Sequence, residues 1–248
     1  MDRVATQPQR PTELPALTFA LNHLLDLLAL QDRRLVLAAC DLVPLTPLEV
    51  LCEVGQPTRH VFFPAEGSVS LMAPISGPGS LQVGLVGSEG MVGVQQLLGV
   101  KTVPLQARVQ DAGRAWRMHT VDFELHFQRS APLRRVLHHY VHVLMCQLAA
   151  SAACLRSHLI GPRLARWLLM CQDRAASDHF TVTHETLALV LGVRRVSVTR
   201  AAGQLQRDGL ITYSRGRLCV SDRHGLEAAA CSCYAADRRV YADVLSPA

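Results

Sequence analysis

The chain has 248 residues, of which 49% are hydrophobic, 5% aromatic and 18% charged. This excludes a disordered or collagen-like polypeptide and leaves room for one large domain or two modest ones. Basic residues outnumber acidic ones 25 to 20, and 24 of the 25 are arginine, Lys101 being the only lysine. No apolar run reaches the roughly 18 residues of a membrane span, and Met1 to Pro15 lacks the apolar stretch of a signal peptide.

The excess charge is local. Residues 1–159 hold 13 basic against 12 acidic residues, whereas 160–248 hold 12 against 8, and Arg194–Arg223 alone carries seven arginines and two acids. A basic cluster on a near-neutral body points to a polyanionic partner bound at one place. Eight cysteines at 40, 52, 146, 154, 171, 219, 231 and 233 show no C-x-x-C spacing. They are read as reduced thiols, several of them buried, in a reducing cytoplasm. Cys231-Ser232-Cys233 is too short and isolated to form a metal site by itself, so no metal is expected.

Residues 1–18 read as a flexible leader punctuated by Pro8, Pro11 and Pro15. Two short helical patterns follow, over Leu24–Leu28 and Asp32–Ala39. From Asp41 to about Met118 short β-type runs such as His60–Phe63, Ser68–Ala73 and Leu81–Val86 alternate with turns such as Gly77-Pro78-Gly79. That texture predicts an antiparallel barrel or sandwich, so a sensor-like β domain is placed at 19–130.

Over Ala131–His158 apolar residues recur in three- and four-residue steps, which predicts a helix about 40 Å long. Leu133, Leu137, Tyr140, Val141, Leu144, Leu148 and Leu155 form its seam. A helix of this length suits dimerisation in the manner of a coiled coil, and burial by its own chain is the alternative. The helix is given residues 131–159, and Gly161-Pro162 opens the last domain, 160–248.

The sharpest motif lies at Thr183–Leu210. A short helix over Glu185–Leu191 turns inward Leu187, Ala188 and Leu191, Gly192 supplies the positive φ of a turn, and a second helix over Arg194–Gln206 buries Val198, Ala201, Ala202 and Leu205. This is a helix-turn-helix pattern. Arg194, Arg195, Ser197, Thr199 and Arg200 face outward at the N-terminal half of the second helix, the part that enters the DNA major groove. Arginine there can contact guanine O6 and N7 bidentately. Leu210–Tyr213 and Arg217–Val220 then form a hairpin, a wing whose tip carries Arg215 and Arg217 for phosphate contacts.

At this point the chain resembles the Crp/Fnr family of bacterial transcription factors (cyclic AMP receptor and fumarate–nitrate regulator). The resemblance covers about residues 20–226. It rests on the Gly-punctuated strands, Val86-Gly87-Ser88-Glu89-Gly90, the long helix, and Gly192-Val-Arg-Arg-Val-Ser-Val-Thr-Arg200. It implies an α+β chain with an N-terminal double-stranded β-roll like a cyclic-nucleotide-binding domain, a long dimerisation helix and a C-terminal winged helix-turn-helix. It also implies a homodimer bound to palindromic double-stranded DNA, RNA polymerase as a partner, and base reading by Arg195 and Arg200. Family members often carry glutamate where this chain has Val196, so their half-site sequence does not transfer.

If the chain takes a small-molecule effector, the resemblance places it at Gly87, Glu89 and Gly90, with Lys101 or Arg108 as the cation for a phosphate; the alternatives are a different ligand in the roll or none at all. The family's phosphate-binding arginine has no counterpart in Thr102–Ala107, which argues against cyclic AMP, because burying an unpaired anion is costly. The cysteine cluster of the oxygen-sensing branch is also missing from residues 1–39, and His138, His139 and His142 are read as solvated or packed under the roll. The expected function is a homodimeric, sequence-specific DNA-binding regulator whose β-roll sets the orientation of the recognition helices. The alternative is a cyclic-nucleotide-type sensory module acting through a protein partner. An enzyme is not expected, since no nucleophile elbow, Walker loop or zinc-protease spacing occurs.

Overall fold

A computed structural model describes residues 22–75, 80–175, 179–214 and 216–246. The leader at 1–18, the Gly77-Pro78-Gly79 turn and Arg215 lie outside the described residues. The chain opens with α1 (His23–Asp26) and α2 (Leu30–Ala38). Asn22 anchors this entry. Its side-chain oxygen accepts from Leu24 N at 3.1 Å, while its amide donates to Pro64 O at 2.9 Å and Gly90 O at 2.7 Å. One buried amide thus satisfies a helix start, a carbonyl within β3 and a carbonyl in the loop after β4.

Five strands follow: β1 (Asp41–Leu45), β2 (Val50–Cys52), β3 (His60–Pro74), β4 (Ser80–Val86) and β5 (Gln106–His119), with a 3₁₀ turn at Val94–Leu98 before the last. They form one antiparallel sheet in the order β1-β5-β3-β4, with β2 also on β5. The long β3–β5 ladder shifts register at Pro64/Glu66, Glu66/Ser68 and Ser68/Val69. Such bulges bend a strand pair and let the sheet curl over its own core. Gly67 sits at the bend with φ +79°, where a Cβ would come within 2.6 Å of Asp111 O.

The helical half contains α3 (Thr120–Arg129), α4 (Ala131–Ser157), α5 (Ile160–Gln172), β6 (His179–Thr181), α6 (His184–Leu191), α7 (Arg195–Arg207), β7 (Ile211–Ser214), β8 (Arg217–Val220), α8 (Arg223–Ala229) and α9 (Cys233–Leu245). The three short strands pair in the order β6-β8-β7. β6 was not anticipated from the sequence. Ser130 caps α4 by accepting from Leu133 N, with Pro132 in the first turn. Among the described residues, no helix is long and apolar enough to cross a membrane.

The long helix turns part of the expected dimer seam toward its own chain. Leu133, Leu137, Tyr140 and Leu144 are buried in the single chain, and Val141, Leu148 and Leu155 are half-buried. All but Leu155 pack against α1, the sheet and α9, whose Val240, Tyr241, Val244 and Leu245 return to the cluster of Leu133, Leu137, Tyr140 and Val141. Four of the seven seam residues are thus covered by their own chain, and three remain half-exposed. The opposite face of α4 is open: Ala131, Arg135, His138, His142, Met145, Ala149, Ala152 and Arg156 line it. These residues recur in steps of three and four, the spacing of a coiled-coil seam.

Candidate nucleic-acid interface

Local sequence builds the helix pair. Thr183 Oγ1 accepts from Thr186 N at 3.0 Å and starts α6. Gly192 ends it at φ 63° and ψ 40°, and Val193 N reaches back to Ala188 O at 3.0 Å. That left-handed residue closes the helix and redirects the chain into α7. Leu187, Leu191, Val198, Ala202 and Leu205 are buried in one cluster with Leu164 and Leu168 of α5. Each buried leucine or valine removes apolar surface worth about 1.5–3 kcal/mol, which fixes α7 rigidly on its neighbours.

The polar face of α7 matches the sequence expectation in part. Arg194, Arg195 and Arg200 are exposed, and among the described residues none of their guanidiniums makes a hydrogen bond or ion pair. Val196 between them is 68% exposed, an apolar group on the outward face. Ser197 is half-buried. Thr199 is exposed, but its hydroxyl donates to Arg195 O at 3.1 Å and lies 3.0 Å from His184 Nδ1. His184, unnoticed in the sequence, stacks on Tyr213 at 4.7 Å and 9°, and Tyr213 Oη donates to Val182 O at 2.8 Å.

These bonds bind recognition helix, first helix and wing into one unit. Because Thr199 donates to Arg195 O, it accepts from a His184 Nδ1–H, leaving His184 Nε2 buried with no hydrogen-bond partner. Burial, and the nearby positive Arg195, hold the His184 pKa below its ordinary value. The wing hairpin pairs Ile211 with Val220 and Ser214 with Arg217, and Arg217 is exposed beside the turn. A cleft of about 1210 Å³ separates the wing from the sheet and is lined by Arg108, Trp167, Phe180, Tyr213 and Arg217, among others.

The five residues expected at an effector site do not converge on one pocket. Glu89 is turned to Arg174, just beyond α5, with Nη2 at 2.6 Å and Nε at 2.7 Å from Oε1. Their side chains are 15% and 8% exposed. Burial alone would lower the Arg174 pKa, but the facing Glu89 carboxylate reverses this and leaves it raised. Glu89 Oε1 also accepts from Gly87 N at 3.1 Å. Gly90 lies against the Tyr140 ring, with no room for a Cβ. Lys101 is exposed, and Arg108 lines the cleft, whose wall does not include Glu89. Glu89 is thus held by Arg174 and Gly87 N through Oε1, apart from the cleft that Arg108 lines.

The same contacts dock the helix-turn-helix on the sheet. Leu85 of β4 joins the recognition-domain core, Trp167 Nε1 donates to Gln82 Oε1 at 2.9 Å, and a Cβ on Gly192 would meet Leu81 at 2.9 Å. The sequence held no direct signal for Arg174 as the partner of Glu89, because 85 residues separate them.

A family profile for the Crp-like helix-turn-helix domain matches residues 162–229. A search of curated proteins finds no match to the chain. Among solved structures, FixK2 from Bradyrhizobium japonicum is similar at TM-score 0.66 and 15% identity, covering 77% of this chain and 98% of its own. The global regulator CLP of Xanthomonas campestris, described as c-di-GMP responsive, is similar at TM-score 0.63 and 19% identity, covering 77% and 99%. A CRP-family transcriptional regulator from Thermus thermophilus is similar at TM-score 0.63 and 22% identity, covering 76% and 96%. At these identities the likeness is one of fold. Residues 162–229 thus match the Crp-like helix-turn-helix domain, within a chain that shares its fold with these regulators.

Proposed function

We propose that the chain is a homodimeric, sequence-specific DNA-binding transcription regulator working in the cytoplasm, and not an enzyme. The observation that carries this is the row of Arg194, Arg195 and Arg200, exposed and unengaged among the described residues on the N-terminal half of a rigidly seated α7. Arg195 and Arg200 read base edges, and Arg194 and the wing arginines Arg215 and Arg217 hold phosphates. Thr199 contributes by fixing His184, not by offering a free hydroxyl.

Two copies pair along the open stripe of α4, not along its buried leucines. Arg135, His138 and His142 form the polar half, while Met145, Ala149 and Ala152 form an apolar half in which small side chains let two helices approach closely. Two-fold pairing sets two recognition helices about 34–36 Å apart, one turn of DNA, and calls for a palindromic site. The buried Glu89–Arg174 pair and the β4 contacts set the angle of each helix-turn-helix on its sheet. An effector would act by favouring one such arrangement over another, and contact with RNA polymerase would convert DNA binding into regulation. Selection from a random duplex pool followed by footprinting tests this reading. It predicts a site with dyad symmetry and steep salt dependence, whereas protection without symmetry, or none, contradicts it.

A further inference from the structure

Cys231 and Cys233 are isolated in sequence but not in space. The last turn of α4 carries Cys154, and His158 caps its end in extended backbone; both lie against the Cys231-Ser232-Cys233 segment at the start of α9. One ligand atom from each of the four lies within 4.8 Å of every other. Cys154 Sγ is 3.5 Å from Cys231 Sγ, and Cys233 Sγ is 3.7 Å from His158 Nδ1. In a tetrahedral zinc centre, bonds of about 2.3 Å to sulfur and about 2.0–2.1 Å to nitrogen imply edges of about 3.8 Å between sulfurs and about 3.6 Å from sulfur to nitrogen. The two measured edges lie close to these values. Ligands this close enclose a single ion, and a multi-iron cluster would need them spread around several metals.

We infer that Cys154, His158, Cys231 and Cys233 form a tetrahedral Cys₃His site for one thiophilic divalent cation, with Zn²⁺ the best match. Binding forms three metal–thiolate bonds and one metal–imidazole bond, and the three thiol protons leave to solvent. The loaded site carries a net charge of −1. A buried cation already faces it. Arg163, 9% exposed on α5, feels both Cys154 and Cys231 and donates to Leu191 O, yet among the described residues it has no carboxylate partner. The second neighbouring cation, Arg166, is paired with Asp237 at 2.6 Å. An anionic metal centre accounts for an arginine that is otherwise buried without a counter-charge.

The ligands bracket the Crp-like domain. Cys154 and His158 precede residue 162, and Cys231 and Cys233 follow residue 229. One ion therefore clips together the entry to and the exit from the helix-turn-helix, at the joint with the long helix. Resting on the DNA-binding reading above, occupancy of the site would control how the recognition helix is presented.

The test uses the full chain, reduced and stripped of metal. Titrated Co²⁺ should give the visible bands of a tetrahedral ion and a sulfur-to-cobalt charge-transfer band, saturating at one ion per chain and bleached by Zn²⁺. Cys233→Ser, at a half-buried position, should weaken binding by about tenfold or more, while Cys40→Ser leaves it unchanged. Circular dichroism of both variants confirms that they are folded. An octahedral spectrum, saturation at another ratio, or equal binding by Cys233→Ser would overturn the site. Metal loading should then change affinity for the selected DNA by about 5- to 150-fold. Cobalt spectra read the site without DNA, so absence of DNA binding with normal spectra would refute the regulator reading and leave the metal site standing. Normal spectra with equal DNA affinity in both forms would overturn the control alone.

Discussion

Replacing Glu89 by glutamine tests how the two halves of the chain are held together. The substitution keeps the shape and an acceptor for Gly87 N, but removes the charge opposite Arg174. The guanidinium, 8% exposed, then keeps only uncharged acceptors among the described residues, the amide oxygen and Met170 O at 2.9 Å. Two charges about 4 Å apart attract by about 4 kcal/mol at an effective dielectric of about 20, and removing one member of a buried pair costs about 3–5 kcal/mol. For a chain of this size that corresponds to a melting midpoint lower by about 6–20 °C. The double variant Glu89→Gln/Arg174→Met should recover most of the loss, because the uncompensated charge is gone as well. Urea unfolding followed by fluorescence reads each half separately, since Trp116 lies on β5 and Trp167 on α5. In a Trp116→Phe background the remaining signal reports the recognition half. A Glu89→Gln protein within about 1 kcal/mol of its parent, or a double variant worse than the single one, would refute the reasoning.

Sedimentation should show that Met145→Asp dissociates the dimer without loss of fold. Leu137→Ala, fully buried in the chain's own core, should instead lower stability by about 2–5 kcal/mol; the reverse pattern restores the leucine seam. Lowering the pH should weaken the recognition domain through His184. Its folded-state pKa lies below 6.5, so the unfolded chain takes the proton first. The stability gained from neutral His184 is complete above 6.5 and is lost as pH falls through that value and then through the folded-state pKa. Nuclear magnetic resonance titration should find the ring charging below 6.5, and His184→Gln should remove this part of the pH dependence. Gly67→Ala should destabilise the sheet by more than the roughly 1–2 kcal/mol of left-handed strain, because Asp111 O blocks the new Cβ. Gly161→Ala meets open space and should be neutral or slightly stabilising by thermal melting.

What could be read from sequence was local. The apolar spacing of Leu187, Leu191, Val198, Ala202 and Leu205, broken by a glycine at φ 63°, specifies two crossed helices whatever the rest of the chain does. The wing followed for the same reason, as did the extent of α4. Choosing between the two faces of α4 needed information the helix itself lacks: both faces carry three- and four-residue steps, and α9 returns from the far end of the chain to cover one of them. The effector residues illustrate the same limit. Glu89 sits in a recognisable turn, but its partner Arg174 comes from the other half of the chain. The Cys₃His cluster is assembled from a helix end and a distant segment, with 77 residues between Cys154 and Cys231, so neither piece stands out alone.

The central claim is that α7 reads DNA, and equilibrium binding of the Arg195→Ala and Arg200→Ala variants to the selected palindromic duplex tests it most directly. Each variant should lose about 1–3 kcal/mol of affinity, with relaxed preference at one base position in each half-site. Arg194→Ala should weaken binding to all sequences alike and reduce the salt slope by about one per contact. Unchanged affinity and unchanged base preference in both Arg195→Ala and Arg200→Ala would contradict the account.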